Sequence, residues 1–322
     1  MKAIVFEQAG QAEDVLSVQD IPPVAPGPGQ VQIKVLARPI QPADFLFIGG
    51  RYRIKPVFPQ PAGLEGVGTV AACGTGVTNI KEGERVAFRA PGAWAEFVVA
   101  PVSRVYTVPP DVPDDIASQF ALNPLTAWGL LSECNLQPPS RILVTAGRSI
   151  VARLLARLGQ NKGFETVLLV RDKGGYAALD GNTGQIIAGR ATVTDTLNDI
   201  AGAGLFHAAL DAVGGSDSLA LMDSLQPRGR LISYGILNDD DITLKASRIL
   251  YKNMIWQGFG IDGWLDSTSQ EQLNTAQNEL WSLLSSYPYL LPVIERFDLP
   301  RIHDAIRASR EPHGPGKILL VG

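Results

Sequence analysis

The chain is poor in the residues that build metal centres and disulfide frameworks. It holds two cysteines, Cys73 and Cys134, and three histidines, His207, His303 and His313, in 322 residues. Two isolated cysteines exclude a disulfide scaffold and point to a reducing compartment. A catalytic zinc needs three converging Cys, His or carboxylate ligands and a structural zinc needs four. There is no Cys-x-x-Cys pair to begin either, so no metal site is expected. The sequence also lacks any apolar run near the roughly 20 residues that span a bilayer. Met1 to Glu7 opens directly into strand-like sequence, without the apolar core of a signal peptide. A cytoplasmic protein with no membrane partner is the expectation. Positive charge is not in excess either: the net charge of −4 leaves no basic footprint for nucleic acid.

A hydrophobic content of 45% with 19% charged residues describes an ordinary globular protein. A chain of 322 residues is long enough for about two domains, each with its own core. The first hundred residues are β-rich and punctuated by turns. Strands are expected over Lys2 to Phe6, Val31 to Ala37, Val67 to Ala72, Arg85 to Phe88 and Ala95 to Ala100. From about Asp114 the period becomes helical, through Ala117 to Ala121 and Thr126 to Leu131. From Arg141 strands and helices alternate, with strands at Phe206 to Ala212 and Arg230 to Tyr234 around a helix at Ser216 to Leu225. That alternation predicts a doubly wound parallel sheet. Ile302 to Ala308 reads as helix, and Lys317 to Val321 as a strand that returns to the first domain.

Arg141 to Lys173 carries the most chemistry. Ile142 to Val144 is a short apolar strand, Ala146 to Ser149 a turn, and Ile150 to Leu158 a helix with one apolar face. Thr166 to Val170 is an apolar run suited to a strand covered on both faces. In such a unit the helix N-terminus presents unpaired N–H groups to a diphosphate, and the second strand ends beside the adenosine ribose. The glycine fingerprint is degraded: Ala146, Ser149 and Ala152 stand at its three places, with Gly147 between. Ala146, Gly147, Arg148, Ser149 and Ile150 are candidate phosphate contacts, against a plain strand–helix–strand unit without ligand. Arg148 reads equally as a phosphate contact or a solvated side chain. Arg171 and Lys173, after the second strand, suit a ribose 2′-phosphate and therefore NADPH, whereas Asp172 keeps an NAD reading open. A nucleophile elbow at Gly147-Arg148-Ser149, with His303 or His313 as base, is disfavoured because Val151 stands where the elbow needs glycine.

Three blocks share one pattern: Arg141 to Lys173, Gly63-Leu64-Glu65-Gly66-Val67-Gly68, and the run from Asp211-Ala-Val-Gly-Gly to Tyr234-Gly235. Together they resemble the medium-chain dehydrogenase/reductase superfamily along essentially the whole chain. Ile40-Gln41-Pro42-Ala43-Asp44, Gly50-Arg51-Tyr52, Asn123-Pro124-Leu125-Thr126-Ala127 and Val170-Arg171-Asp172-Lys173 look like its zinc-free branch. That branch includes trans-2-enoyl-thioester reductases of the mitochondrial type and quinone oxidoreductases. Leu64 stands where zinc-dependent relatives carry a ligand histidine, and Glu65 beside it reads as structural.

The resemblance implies an α/β protein: a GroES-like, mostly β catalytic domain at 1–121, a Rossmann domain at 122–287, and a return to the first domain at 288–322. It implies a zinc-independent, NADPH-dependent reductase of an activated carbon–carbon double bond in an enoyl thioester or enone. A quinone reductase and a catalytically silent nucleotide sensor or scaffold are the alternatives. Tyr52 is the expected acid, against a tyrosine that merely packs in a turn; a phenol stays protonated at neutral pH. Gln41 stands where the enoyl reductases carry Asn and is the second catalytic candidate. Thr126 and Tyr234 are further cofactor candidates. Trp256, Phe259 and Trp264 read either as an acyl pocket or as core. A homodimer is expected through an apolar edge at Ile249 to Phe259.

Overall fold

A computed structural model describes residues 1–311, 314 and 316–322. The chain divides into two units, Met1–Pro124 with Gln277–Gly322, and Leu125–Ala276. The first unit is built on a sheet of strands Val293–Asp298, Lys317–Val321, Gln30–Ile40, Glu65–Cys73, Arg85–Arg89 and Val105–Thr107, with Phe97–Pro101 also paired to Gln30–Ile40. Lys317–Val321 runs antiparallel to Gln30–Ile40 and parallel to Val293–Asp298, so the end of the chain completes this sheet. A smaller sheet joins Ser17–Asp20, Lys2–Phe6 and Gln60–Pro61. Alternating side chains from these strands meet in one core around Ile4, Phe6, Ile33, Val35, Val70, Phe88 and Trp94. Tyr52 is partly buried against that core.

The second unit holds a seven-stranded sheet. Strands Phe164–Asp172, Ser140–Val144, Phe206–Asp211, Leu225–Ser233 and Ile255–Gly258 are parallel neighbours in that order. The apolar runs of Ser140–Val144 and Phe164–Asp172 are covered on both faces, as the sequence pattern requires of parallel strands. The expected alternation fails at one place. After Phe164–Asp172 the chain makes a hairpin of Gly175–Asp180 and Ile186–Arg190, both antiparallel, instead of a helix and another parallel strand. Gly174 at φ +82° and Gly184 at φ +71° supply the left-handed backbone that the two turns of this hairpin need.

Two other expectations shift. The segment Ile249 to Phe259 is divided between helix Ala246–Lys252 and the edge strand Ile255–Gly258. Ala117 to Ala121 is mostly turn, following the short helix Asp114–Ala117 and preceding helix Asn123–Cys134.

Candidate active site

In the second unit the strand order reverses beside Ser140–Val144, whose helix leads to one side while Phe206–Asp211 begins the other. The carboxyl ends of the strands at such a reversal open a crevice. A cavity of about 490 Å³ lies there, lined by Thr145 to Ser149, Leu169 to Arg171, Tyr176, Asp211, Val213, Asp217, Leu237 and Asn238.

The turn after Ser140–Val144 is drawn tightly against the neighbouring strand. A Cβ on Gly147 would come within 2.7 Å of Leu168 Cβ and 2.9 Å of Val170 Cγ1, so only glycine fits. Gly147 N donates to Leu169 O at 2.9 Å. Ser149 is the N-cap of helix Ile150–Asn161, and its hydroxyl accepts from Ala152 N at 3.2 Å. Its oxygen therefore caps the helix rather than standing exposed as a nucleophile. The hydrolase reading fails on this geometry; of its proposed bases, His303 lies on helix Ile302–Arg310 of the first unit and His313 lies outside the described residues.

Arg148 reaches along the end of the adjacent strand, donating to Arg171 O and, at 3.3 Å, to Asp172 Oδ1. Arg148 is thus paired with the carboxylate that an NAD ribose would need, while still lining the cavity. Arg171 itself lines the cavity, its guanidinium 6.0 Å from the centre of the Tyr176 ring. Tyr176 comes from the hairpin and donates to Asp217 Oδ2 at 2.8 Å, a bond that holds its phenol above the usual range. Asp211 fixes the opposite wall by accepting from Thr145 Oγ1 at 2.8 Å, Ser218 Oγ at 2.6 Å and Val213 N at 2.9 Å.

Of the other cofactor candidates, Ile150 is buried at the first position of its helix and Thr126 is buried in the first turn of Asn123–Cys134. Lys173 is exposed in the turn at φ +45° and is not part of the cavity lining. Tyr234 follows strand Leu225–Ser233, and burial pushes its phenol well above the usual range. Its buried hydroxyl faces the Ser149 side chain without closing a hydrogen bond of ordinary geometry. An unsatisfied buried donor beside the turn, a tight glycine and a cation at the strand end all fit a dinucleotide. Sequence reading missed Tyr176, Asp217 and Asn238. Trp256, Phe259 and Trp264 are packing residues: Trp256 Nε1 donates to Ser233 Oγ at 2.9 Å, and a Cβ on Gly129 would meet Phe259 at 2.9 Å and Trp264 at 3.0 Å.

The first unit carries a buried polar cluster. Gln41 caps helix Pro42–Ile48, and its backbone N donates to Asp44 Oδ2 at 2.9 Å. Its side-chain Nε2 donates to Glu65 Oε1 at 2.6 Å, and its Oε1 accepts from Asn123 Nδ2 at 3.3 Å. Glu65 and Arg89 are cross-strand partners, both buried. Arg89 Nη2 donates to Tyr52 Oη at 2.9 Å. Burial pushes the Asp44 carboxyl up to about 8 and Glu65 up to about 7, the latter opposed by the Arg89 charge. Desolvation lowers Lys317, which faces both carboxylates. Among the described residues no group of three His, Cys, Asp or Glu side chains comes together to hold a metal ion.

An open parallel sheet with a dinucleotide crevice, carried in one chain with a β-rich unit of buried polar chemistry, defines a two-domain dehydrogenase or reductase. Residues 27–110 match the alcohol dehydrogenase GroES-like domain. The bovine mitochondrial enoyl-[acyl-carrier-protein] reductase is 28% identical over 329 residues, covering 99% of this chain and 88% of that protein. A mycobacterial quinone oxidoreductase structure is 25% identical with a TM-score of 0.83, and all of both chains is covered. A mycobacterial protein solved in complex with NADPH matches equally, at 25% identity and a TM-score of 0.83 over the whole of both chains. In sequence and in fold the chain is similar to the zinc-free medium-chain dehydrogenases and reductases.

The raised carboxyls give a pH dependence of stability whose sign is fixed. Asp44 and Glu65 bind protons more tightly folded than unfolded. Their stabilising contribution is therefore complete below the unfolded value near 4 and is lost as pH rises through about 7 to 8. Asp44→Asn removes one titration and keeps an acceptor for Gln41 N. Its melting temperature should rise relative to the parent as pH goes from about 5 to about 9. A difference between the two proteins that is constant with pH would contradict the assignment.

Proposed function

We propose that this protein is an NADPH-dependent reductase of an activated carbon–carbon double bond, in an enoyl thioester or enone, working without zinc. The observation that carries the reading is the strand-end arrangement in the second unit: Arg171 lines the cavity while Asp172 is tied to Arg148. A guanidinium suits the 2′-phosphate of NADPH, and a carboxylate already paired is poorly placed to take a ribose diol. The likeness to the bovine enoyl reductase and to the NADPH-bound mycobacterial protein supports it. Gly147 and Ser149 at the turn, Arg171 at the strand end, and Tyr176 and Asn238 along the cavity are the residues that would hold NADPH. Bound there, NADPH supplies hydride.

The protein's own contribution to the chemistry is an acid that stabilises the developing enolate oxygen or delivers the α-proton. Tyr52 is the donor: a phenol oxygen that accepts from Arg89 has its O–H as a separate donor. A positioned acid of this kind contributes typically about 10²–10⁴-fold. Gln41 is the weaker catalytic candidate, because its amide is buried and engaged at both ends, by Glu65 and by Asn123. Its role in this reading is to hold Glu65. Reduction of a quinone is the second reading, favoured by the likeness to the mycobacterial quinone oxidoreductase. We also propose a homodimer through the edge strand Ile255–Gly258 and the helix Ala246–Lys252 before it, on which Leu250 and Tyr251 are 67% and 82% exposed. We propose a cytoplasmic location from the scarcity of cysteine, with Cys73 and Cys134 both free. Among the described residues no helix is long and apolar enough to cross a membrane.

NADPH should bind more tightly than NADH, and Arg171→Ala should weaken NADPH by about 1.5–3 kcal/mol while leaving NADH nearly unchanged; equal affinity of the parent for both cofactors would remove the phosphate assignment. NADPH oxidation, screened spectrophotometrically against crotonyl-CoA, simple enones and 1,4-quinones, should be fastest with an activated double bond. In that assay Tyr52→Phe should lower turnover by roughly 10²-fold or more with NADPH affinity within about threefold of the parent. A larger loss in Gln41→Ala, with Tyr52→Phe nearly silent, would move the polarising role to the amide. Light scattering at micromolar concentration should give twice the chain mass, and a monomer would end the dimer proposal.

A further inference from the structure

We propose that Arg89 is a positioning residue for the reaction, acting through Tyr52: it fixes the phenol oxygen and stabilises the phenolate left when Tyr52 gives up its proton. The inference rests on the reading of Tyr52 as the donor and adds what makes that phenol effective. Arg89 Nη2 donates to Tyr52 Oη at 2.9 Å, a charge-assisted contact. Arg89 is only 3% exposed and sits at the end of strand Arg85–Arg89, so its charge is held in a region of low dielectric. There a cation beside a developing anion acts far more strongly than in water. Val86, Ala87 and Phe88 precede it in the strand, so the guanidinium stands among buried apolar neighbours.

The groups that face Arg89 explain why it stays in place. Glu65, its cross-strand partner on Glu65–Cys73, interacts with it electrostatically and is itself held by the Gln41 amide at 2.6 Å. Asp44 on helix Pro42–Ile48 also interacts with Arg89, and Lys317 on strand Lys317–Val321 faces both carboxylates. With Glu65 ionised, the guanidinium is balanced on one side by carboxylate and turned on the other toward Tyr52. With hydride supplied at the β-carbon, the substrate would stand as an enolate. The Tyr52 O–H bond then breaks as a C–H bond forms at the substrate α-carbon. The electron pair of the broken bond remains on the phenol oxygen beside Arg89, and a proton from solvent water restores the phenol.

The test compares the parent protein with Arg89→Met, Arg89→Lys, Tyr52→Phe and the double variant Arg89→Met with Tyr52→Phe. Two readouts are taken: turnover against pH with an enone and NADPH, and the ultraviolet absorbance of tyrosinate, from which the Tyr52 contribution is obtained by difference against Tyr52→Phe. Arg89→Met should lower turnover by about tenfold or more, in the range of a disabled acid, with NADPH affinity unchanged. It should also move the Tyr52 ionisation and the alkaline limb of turnover to higher pH. Arg89→Lys, which keeps the charge, should recover part of both. The double variant should be no slower than Tyr52→Phe alone. Should Arg89→Met not fold, Arg89→Lys carries the test with a smaller shift in the same direction. An equal loss from Arg89→Met in the parent and Tyr52→Phe backgrounds, or an unmoved tyrosinate signal, would overturn the proposal. If Tyr52→Phe alone leaves turnover unchanged, the donor assignment fails instead, and the two failures are thereby distinguished.

Discussion

A carboxylate in an apolar core survives only when its charge is neutralised or its oxygens are engaged. Glu65 is such a group, and much of the first unit's chemistry is organised around it. The Gln41 amide takes one oxygen at 2.6 Å, and Arg89 on the neighbouring strand supplies the opposing charge. Both partners are then bound to further duties. Gln41 caps helix Pro42–Ile48, the helix whose end leads through Gly49 and Gly50 to Tyr52. Arg89 touches the Tyr52 hydroxyl. The position of one phenol oxygen thus depends on a helix cap, a cross-strand pair and a buried acid together. Such a network is costly to disturb, because removal of any member leaves another polar group buried without its partner.

The second unit solves a different problem, that of opening a crevice in an otherwise sealed sheet. Its parallel strands leave no room for a side chain at Gly147, and the turn closes against Leu168 and Val170. Asp211 then ties the ends of two strands together by accepting from Thr145 Oγ1, from Val213 N in its own loop and from Ser218 Oγ on the helix Asp217–Asp223. What remains between them is a cavity whose polar wall includes Arg148 and Arg171. The two arginines are held differently. Arg148 donates to Arg171 O and Asp172 at the strand end, whereas Arg171 lies near the Tyr176 ring.

Much of this was legible in the sequence, for reasons that can be named. The apolar runs Ile142 to Val144 and Thr166 to Val170 read as covered parallel strands, and the periodic face from Ile150 to Leu158 read as the helix between them. Lys317 to Val321, too short to stand alone, pairs with strand Gln30–Ile40. The hairpin Gly175–Arg190 was hidden by the expectation of alternation, although Gly174 and Asn182-Thr183-Gly184 are turn signals at the right spacing. Tyr176 was missed with it, since its place in the cavity exists only once the hairpin folds back. Arg89 escaped notice because a charged residue at a strand end ordinarily faces water, and only the pairing with Glu65 shows otherwise. Gln41 was legible as unusual but not as engaged. Its partners Glu65 and Asn123 are remote in sequence, and no local pattern announces them.

The central claim is that the chain passes hydride to the β-carbon of an activated double bond and a proton to its α-carbon. The most direct measurement is the fate of label in a single turnover with crotonyl-CoA, using NADPH deuterated at the transferred position of its nicotinamide, and then unlabelled NADPH in heavy water. The account predicts deuterium at the β-carbon in the first case and at the α-carbon in the second, read by magnetic resonance of the product. Crotonyl-CoA recovered without deuterium in both cases, from protein that binds NADPH, would contradict it.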